Sequence, residues 1–460
     1  MGVVALALVG GAHAASNDVI LTWNNLALDT VRQERLGTPD AARLYALVNV
    51  AMYDAINGIR VAKGNSTRAE ALVPFEIIST NGGNLVTAPA DGNRVVAASK
   101  AALTILTQGG FTTSGELVNQ FNQAMNAVLN AENGSKGVGS GNSWGQFVAE
   151  EVLALRGMRG SDLDIDFSQP WVVQDNEVTP FVVDGQELAF VNAFNSAKFR
   201  AQVPFAILNP SDYFGDGPPD PTSNAYAKAL NDVKLFGRES ATNNAFSDPE
   251  NQAFDDIFRF WSGSGGTARP PGEWIKVAIL VSQDPNFAKD LNATARLFAL
   301  LGMAMADVVP VSWNDKFRFN YWRPRTAVNQ ADRDDNDKTD ADPSWIQRNG
   351  SIGGSPEYTS GQSTFAGTAT TVLGRFFGDN VYFTFTGDPC LDGSCPARSF
   401  ISFSQAGREA GRARIFAGIH FQFSNEDGFK AGQGIGREVF ANSLRPLLAD
   451  DDQGEDQDDD

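Results

Sequence analysis

The sequence predicts an all-α protein, a multi-helix bundle with long loops. Apolar residues recur at helical spacing in many segments, and the period-two alternation of half-buried strands is sparse. With 460 residues and 42% hydrophobic content, the chain is long enough for one large core or two fused helical halves.

Taken in chain order, residues 1–14, MGVVALALVGGAHA, form a short apolar run ending in the small-x-small pattern Ala12-His13-Ala14. They are expected to be a signal peptide, and the protein to be exported, periplasmic or extracellular. Residues 15–203 make an N-terminal helical half. Within it Thr38 is expected to cap a helix that Pro39 opens, with Leu44, Leu47, Val48, Ala51 and Ala55 on one face, until Asn57-Gly58 stops it. Segments 95–106, 117–129 and 147–155 repeat the helical spacing, and 171–191 carries the strongest strand-like alternation. A Pro-rich connection, 204–222, follows, read as a domain boundary or as a long loop draped over one bundle. The remaining half, 223–448, shows helical periodicity over 226–236, 254–261, 287–308, 365–376 and 428–444. The tail 449–460, with seven Asp and one Glu, has nothing to bury and is expected to be solvated.

A formal charge of -19 argues against nucleic acid and against anionic membrane surfaces, since both attract basic faces. After the leader, no stretch of about 20 apolar residues is free of charge, so membrane insertion is not expected. Cys390 and Cys395 lie in a turn-rich run that suits a small loop closed by a disulfide, and two sulfurs alone make a poor zinc site. The Asp-rich run 332–342 has calcium-like oxygen spacing without the central Gly and terminal Glu of an EF-hand, so a solvated loop is expected.

Three segments of the C-terminal half bring residue types that bind oxyanions. The first places Lys316 and Arg323 seven residues apart, two helical turns, with Pro324 after the Arg. The second, Pro356-Glu-Tyr-Thr-Ser360-Gly361-Gln362, puts Ser360 where it caps a helix whose free N–H groups favour anions, and Gly361 where backbone can approach one closely. The third carries Arg414 on a helix that Gly418 ends, after which the chain presents His420, the sole histidine outside the leader. Taken singly, the bland readings win: a solvated basic face, an ordinary capped helix, a satisfied histidine.

Together the segments resemble the Lys-x6-Arg-Pro, Pro-Ser-Gly-His and Ser-Arg-x-x-x-Gly-x-His signature of the vanadium-dependent haloperoxidase and type 2 phosphatidic acid phosphatase (PAP2) superfamily. Trp313-x-x-Lys316, Pro270-Pro-Gly-x-Trp274 and Ala51-Met-Tyr-Asp-Ala55 extend the likeness toward the bacterial haloperoxidase-like branch. The resemblance implies that Lys316, Arg323, Ser360, Gly361 and Arg414 hold the oxygens of vanadate, that phosphate fits the same pocket, and that Trp313 lines the halide side. It implies that His420 meets the central atom, as axial ligand to vanadium in a peroxidase or as nucleophile in a phosphatase.

The sequence departs from that signature where proton transfer is needed. The family's acid/base His is Gln362, which can hydrogen-bond but cannot exchange a proton near neutral pH. Ala413 replaces a Ser, and Ser424 stands where an acidic residue often steadies the ligand His, leaving Glu426 and Asp427 as nearby substitutes. Three functions follow: an exported haloperoxidase-like oxidoreductase acting on halide and hydrogen peroxide, weakened by Gln362; a phosphatase acting on a phosphate ester through His420; or a non-catalytic relative serving as an interaction or surface protein.

Overall fold

A computed structural model describes residues 18–64, 72–74, 76–80, 82–157, 182–183, 186–187, 198–350 and 355–445. The leader 1–14, the tail 449–460 and most of the strand-like stretch 171–191 lie outside the described residues. The elements in order are α1 (Asp18–Gln33), α2 (Thr38–Ala62), β1 (Glu76–Ile78), β2 (Leu85–Thr87), α3 (Arg94–Gln108), α4 (Gly115–Ala131), α5 (Val138–Arg156), β3 (Val182–Val183) and β4 (Gln186–Glu187). The second half continues with α6 (Asn224–Phe236), α7 (Asp248–Phe260), α8 (Arg269–Gln283), α9 (Leu291–Phe319), α10 (Pro324–Asn329), α11 (Gly361–Phe377), β5 (Phe383–Phe385), β6 (Arg398–Phe400), α12 (Phe403–Phe416) and α13 (Gln422–Asn442). The strands make short two-stranded antiparallel ribbons, so the fold is helical, as the spacing predicts.

Local chemistry starts several of these helices, and α7 begins at Asp248, six residues before the periodic segment 254–261. Asn93 accepts from Val95 and Val96 N–H at the start of α3, Ser223 accepts from Tyr226 N–H at α6, and Ser247 with Glu250 forms a capping box at α7. The second helix departs from expectation at both ends. Its cap is Gly37, not Thr38, and it runs through Asn57-Gly58 to Ala62. Gly58 serves packing instead of termination: a Cβ there would fall 2.6 Å from Trp144 Cζ2, and the Trp144 indole N–H donates to Ala55 O at 3.1 Å.

α9 is mainly apolar and buried over most of its length, and packs against α2 from the first half and α11 from the second, with Asp307, Asp315 and Lys316 among its buried residues. It is long and apolar enough by composition to cross a membrane, and most of its apolar window is covered by neighbouring helices. One continuous apolar cluster reaches from Val19 to Leu444, and a smaller aromatic one gathers Tyr226, Tyr321, Trp322, Trp345 and Phe421. The closest helix pair, α11 and α13, meets through glycines: a Cβ at Gly432 would lie 2.1 Å from Thr364 O, and one at Gly367 2.2 Å from Phe429 O. That approach seats the first turn of α11 directly on α13.

The Pro-rich connection lies along the bundle. Asp307 of α9 accepts N–H groups of Phe205, Ala206 and Ile207, Asp315 accepts from Gly215, and Glu438 of α13 accepts from Leu208. Cys390 and Cys395 form a disulfide with Cα atoms 5.0 Å apart. In the Asp-rich run, Asp334 accepts from Thr339 and Asn336, while Asp342 accepts from Ser344 and pairs with Arg238.

Candidate oxyanion-binding site

Lys316 and Arg323 do not share a helix face, contrary to the two-turn reading. α9 ends at Phe319 because Asn320 takes the left-handed conformation, φ 42°. Arg323 is then held extended, as a residue before proline must be, and Pro324 opens α10 instead of interrupting α9. The two cations still converge, since the chain turns back on itself. Lys316 Nζ donates to the carbonyls of Pro356, Glu357 and Thr359 at 3.2, 3.2 and 2.5 Å. Arg323 donates to Ser355 O at 2.9 Å and Ile419 O at 2.7 Å, and its Nη1 lies 3.2 Å from His420 Nε2. Arg323 therefore ties the first segment to both others.

Ser360 is the N-cap residue of α11, yet its side chain makes no capping bond; its hydroxyl accepts from Ser363 Oγ at 2.9 Å. First-turn N–H groups are thus left for another acceptor. A Cβ added at Gly361 would meet nothing within 4 Å except the Trp313 ring at 3.8 Å, so open space lies before this backbone. Trp313 is buried and its indole N–H has no partner among the described residues.

The third segment folds as its glycine suggests. Gly418, φ 72°, ends α12 in a Schellman motif, with Gly418 N–H on Ile415 O and Ile419 N–H on Arg414 O. A side chain at 418 would collide with Gly237 O at 2.5 Å. His420 follows, 4% exposed, and its Nδ1 lies 2.8 Å from Glu357 Oε1. With Nδ1–H donating to the carboxylate, Nε2 keeps its lone pair.

Glu357 is the residue that the sequence reading missed. The acid expected near position 424 comes from the second segment: Glu357 is fully buried and also accepts the Phe421 N–H at 2.9 Å. Neither nearby substitute serves His420, since Glu426 accepts from Gln422 and Asp427 from the Tyr358 hydroxyl. The signal was a Glu three residues before Ser360, inside a segment otherwise chosen for binding anions.

The charges explain what the cluster lacks. Burial, with Arg323 adding repulsion, lowers Lys316 to about 7, and burial lowers Arg323 to about 10. Burial and Arg323 likewise bring Arg414 down to about 10. His420 falls well below its ordinary value through burial and the three cations, while burial raises Glu357 to about 7 against the pull of Arg323. Arg414 Nε and both polar atoms of Gln362 are buried without hydrogen-bond partners. Orphaned buried groups of this kind are rare and costly in native proteins. A multiply charged oxyanion set before Gly361 would accept from the unpaired donors, Arg414 Nε–H and the Gln362 amide N–H, so the donor set fits one, while Gln362 Oε1 can be met only by a donor. The contacts above bring Lys316, Arg323 and His420 together with the 355–359 segment, Arg414 acts electrostatically on Lys316 and His420, and Trp313 faces Gly361 at the start of α11, where Ser360 and Gln362 flank it.

Comparison with known proteins gives a consistent result. The family described as VCPO second helical-bundle domain matches residues 296–447. The chain is 24% identical over 420 residues to a vanadium chloroperoxidase from Curvularia inaequalis, covering 80% of this chain and 66% of that protein. Among solved structures, the first bacterial vanadium-dependent iodoperoxidase aligns with TM-score 0.70 and 23% identity over 95% of this chain and 98% of its own. An apo-type bacterial vanadium-dependent chloroperoxidase aligns with TM-score 0.58 and 16% identity, covering 88% and 94%.

Proposed function

We propose that the chain is a vanadate-dependent peroxidase oxidising halide with hydrogen peroxide, a reading supported by the match of residues 296–447 to the VCPO second helical-bundle domain and by the likeness to a vanadium chloroperoxidase. The observation that carries this reading is that Arg414 Nε, both polar atoms of Gln362 and the Trp313 N–H are buried without partners among the described residues, while open space lies before the Gly361 backbone. Bound vanadate would supply the Lewis acid that activates peroxide. Lys316, Arg323 and Arg414 would hold the oxyanion charge, and the first turn of α11 would present its N–H groups. His420 Nε2 would bind the central atom, with Glu357 fixing the ring and its tautomer.

Gln362 would orient a peroxide oxygen or a water without moving a proton, since an amide does not titrate. This weakens acid/base assistance without weakening oxyanion binding. The same residue counts against a phosphatase, in which a leaving alcohol needs a proton and no second histidine stands in the described site. The Cys390–Cys395 disulfide suits an oxidising compartment and supports export.

The test adds orthovanadate to metal-free protein and measures bromide oxidation beside phosphate-ester hydrolysis. Vanadate-dependent bromide oxidation is expected. Ester hydrolysis that vanadate inhibits would replace this reading with the phosphatase, and neither activity would leave a non-catalytic anion-binding relative. A Gln362→His variant should oxidise bromide at least about tenfold faster, with a new pH dependence between about 5 and 8 from the imidazole.

A further inference from the structure

A second pair of cations lies outside this site, where α1 ends and α8 begins. Arg35 occupies the left-handed position after α1, φ 51°, with Arg35 N–H on Arg32 O and Leu36 N–H on Val31 O. That is the Schellman position which glycine ordinarily takes. Arg269, at the start of α8, is also left-handed, φ 62°. Two arginines therefore sit where the backbone disfavours any side chain, and such strain collects at ligand-binding sites.

Both guanidinium groups reach one glycine loop, Ser262-Gly263-Ser264-Gly265-Gly266. A side chain begun at Gly265 would start 3.3 Å from Arg35 Nη2 and 3.8 Å from Arg269 Nη2, and one at Gly266 3.2 Å from Arg35 Nη1. The glycines leave room for the guanidinium groups to lie against the loop. Arg269 Nε donates to Leu36 O at 2.6 Å, which holds the α8 arginine against the Arg35 turn. Neither arginine makes an ion pair among the described residues. The adjacent Glu34 is turned away, accepting from Thr113 and Ser114. Elsewhere in this acidic chain arginines find carboxylates readily: Arg32, three residues before Arg35, is bidentate to Asp388.

We propose that Arg35, Arg269 and the Gly263–Gly266 loop form a second binding site, for a tetrahedral oxyanion such as phosphate, separate from the His420 pocket. Arg35 offers both Nη groups and Arg269 its Nη2, since Arg269 Nε and Nη1 donate to Leu36 O and Gly263 O, and the glycine backbone lets the anion approach its N–H groups. Burial and the charge of Arg35 both disfavour the charged form of Arg269, and a bound anion would offset them.

Calorimetry with inorganic phosphate, and in parallel with glycerol 3-phosphate, tests this in four proteins: wild type, Arg414→Ala, Arg35→Gly and the double variant. Wild type should bind two anions, each single variant one, and the double variant none, with affinity at the lost site falling at least about tenfold. Arg35→Gly should also unfold at an equal or higher temperature without ligand, because glycine relieves the left-handed residue. A purely structural Arg35 would give the same stabilisation with phosphate binding unchanged, and that result overturns the proposal. One site lost only with Arg35→Gly would keep this proposal and remove the His420 pocket assignment; one site lost only with Arg414→Ala would do the reverse. Tighter binding of inorganic phosphate identifies a free anion as ligand, and tighter binding of the glycerol ester identifies an esterified phosphate.

Discussion

Two buried charge clusters in this molecule are built on opposite plans. Around Asp388, charges cancel. Its carboxylate takes Arg32 at 2.7 and 2.8 Å, Lys276 at 2.5 Å and the Ala268 N–H at 2.6 Å, while Glu273 holds Lys276 and the Asp388 N–H. Around His420, Lys316, Arg323 and Arg414 lean on backbone carbonyls or on nothing, and the nearest carboxylate, Glu357, is committed to His420. The first cluster ties α1 and α8 to the disulfide loop. The second spends stability to keep a hole for negative charge. Similar burial with opposite pairing distinguishes a structural ion cluster from a binding site, which residue types alone cannot do.

Removing a charge from each cluster should break that contrast most sharply. Asp388→Ala takes from Arg32 and Lys276 their shared buried carboxylate, leaving them only the carboxylates of Asp29 and Glu273, and should cost about 3 kcal/mol or more of unfolding free energy in urea. Arg414→Ala should leave the ligand-free protein as stable as wild type or more so. If both variants lose stability equally, Arg414 is a structural residue and the pocket assignment fails. Arg414→Ala should instead weaken orthovanadate binding by about 1.5 to 3 kcal/mol in calorimetry, as should Arg323→Ala. Unchanged affinity in both would return these arginines to ordinary packing.

Glu357→Gln keeps the shape and removes the charge behind His420. Orthovanadate affinity should fall about 10- to 100-fold, the usual effect of removing a ligand's carboxylate partner, with the fold intact by circular dichroism. Wild-type affinity in this variant would mean that the Glu357 contact does not orient a ligand. An effect of similar size is expected in acid. Burial opposes ionisation of Asp388, but Arg32 and Lys276 outweigh it and hold the carboxyl down at about 2, from 3.8. For a lowered carboxyl, the stabilisation is fully present above the unfolded value and is lost as pH falls through about 2. About 2 kcal/mol should disappear between roughly pH 4 and pH 2, and Asp388→Asn should lack that acid limb. An identical acid limb in the variant would assign the loss to other carboxylates.

The helical class was legible because burial imposes the 3.6-residue spacing directly on positions such as Leu44, Leu47, Val48, Ala51 and Ala55. Ends were less so. Gly58 reads as a stop but is a contact for Trp144, and a glycine kept for close packing looks the same in sequence as one kept for a turn. The oxyanion segments were visible as residue types, and their convergence now has a geometry in which Arg323 reaches Ser355 and Ile419. Glu357 was invisible in its role, because what makes it the partner of His420 is a distance across 63 residues of chain. The paired left-handed arginines were hidden for the same reason.

That span has a kinetic consequence. Arg323 meets Ile419 across 96 residues and Ser355 across 32, so the pocket closes only after long loops have been brought together. Contacts of such high sequence separation pay their entropy early and are rewarded late, which places pocket closure near the end of folding. An anion that binds the closed pocket then acts mainly after the rate-limiting barrier. Saturating vanadate should therefore prolong the lifetime of the native protein by slowing its unfolding, while the rate at which the chain first folds stays nearly the same.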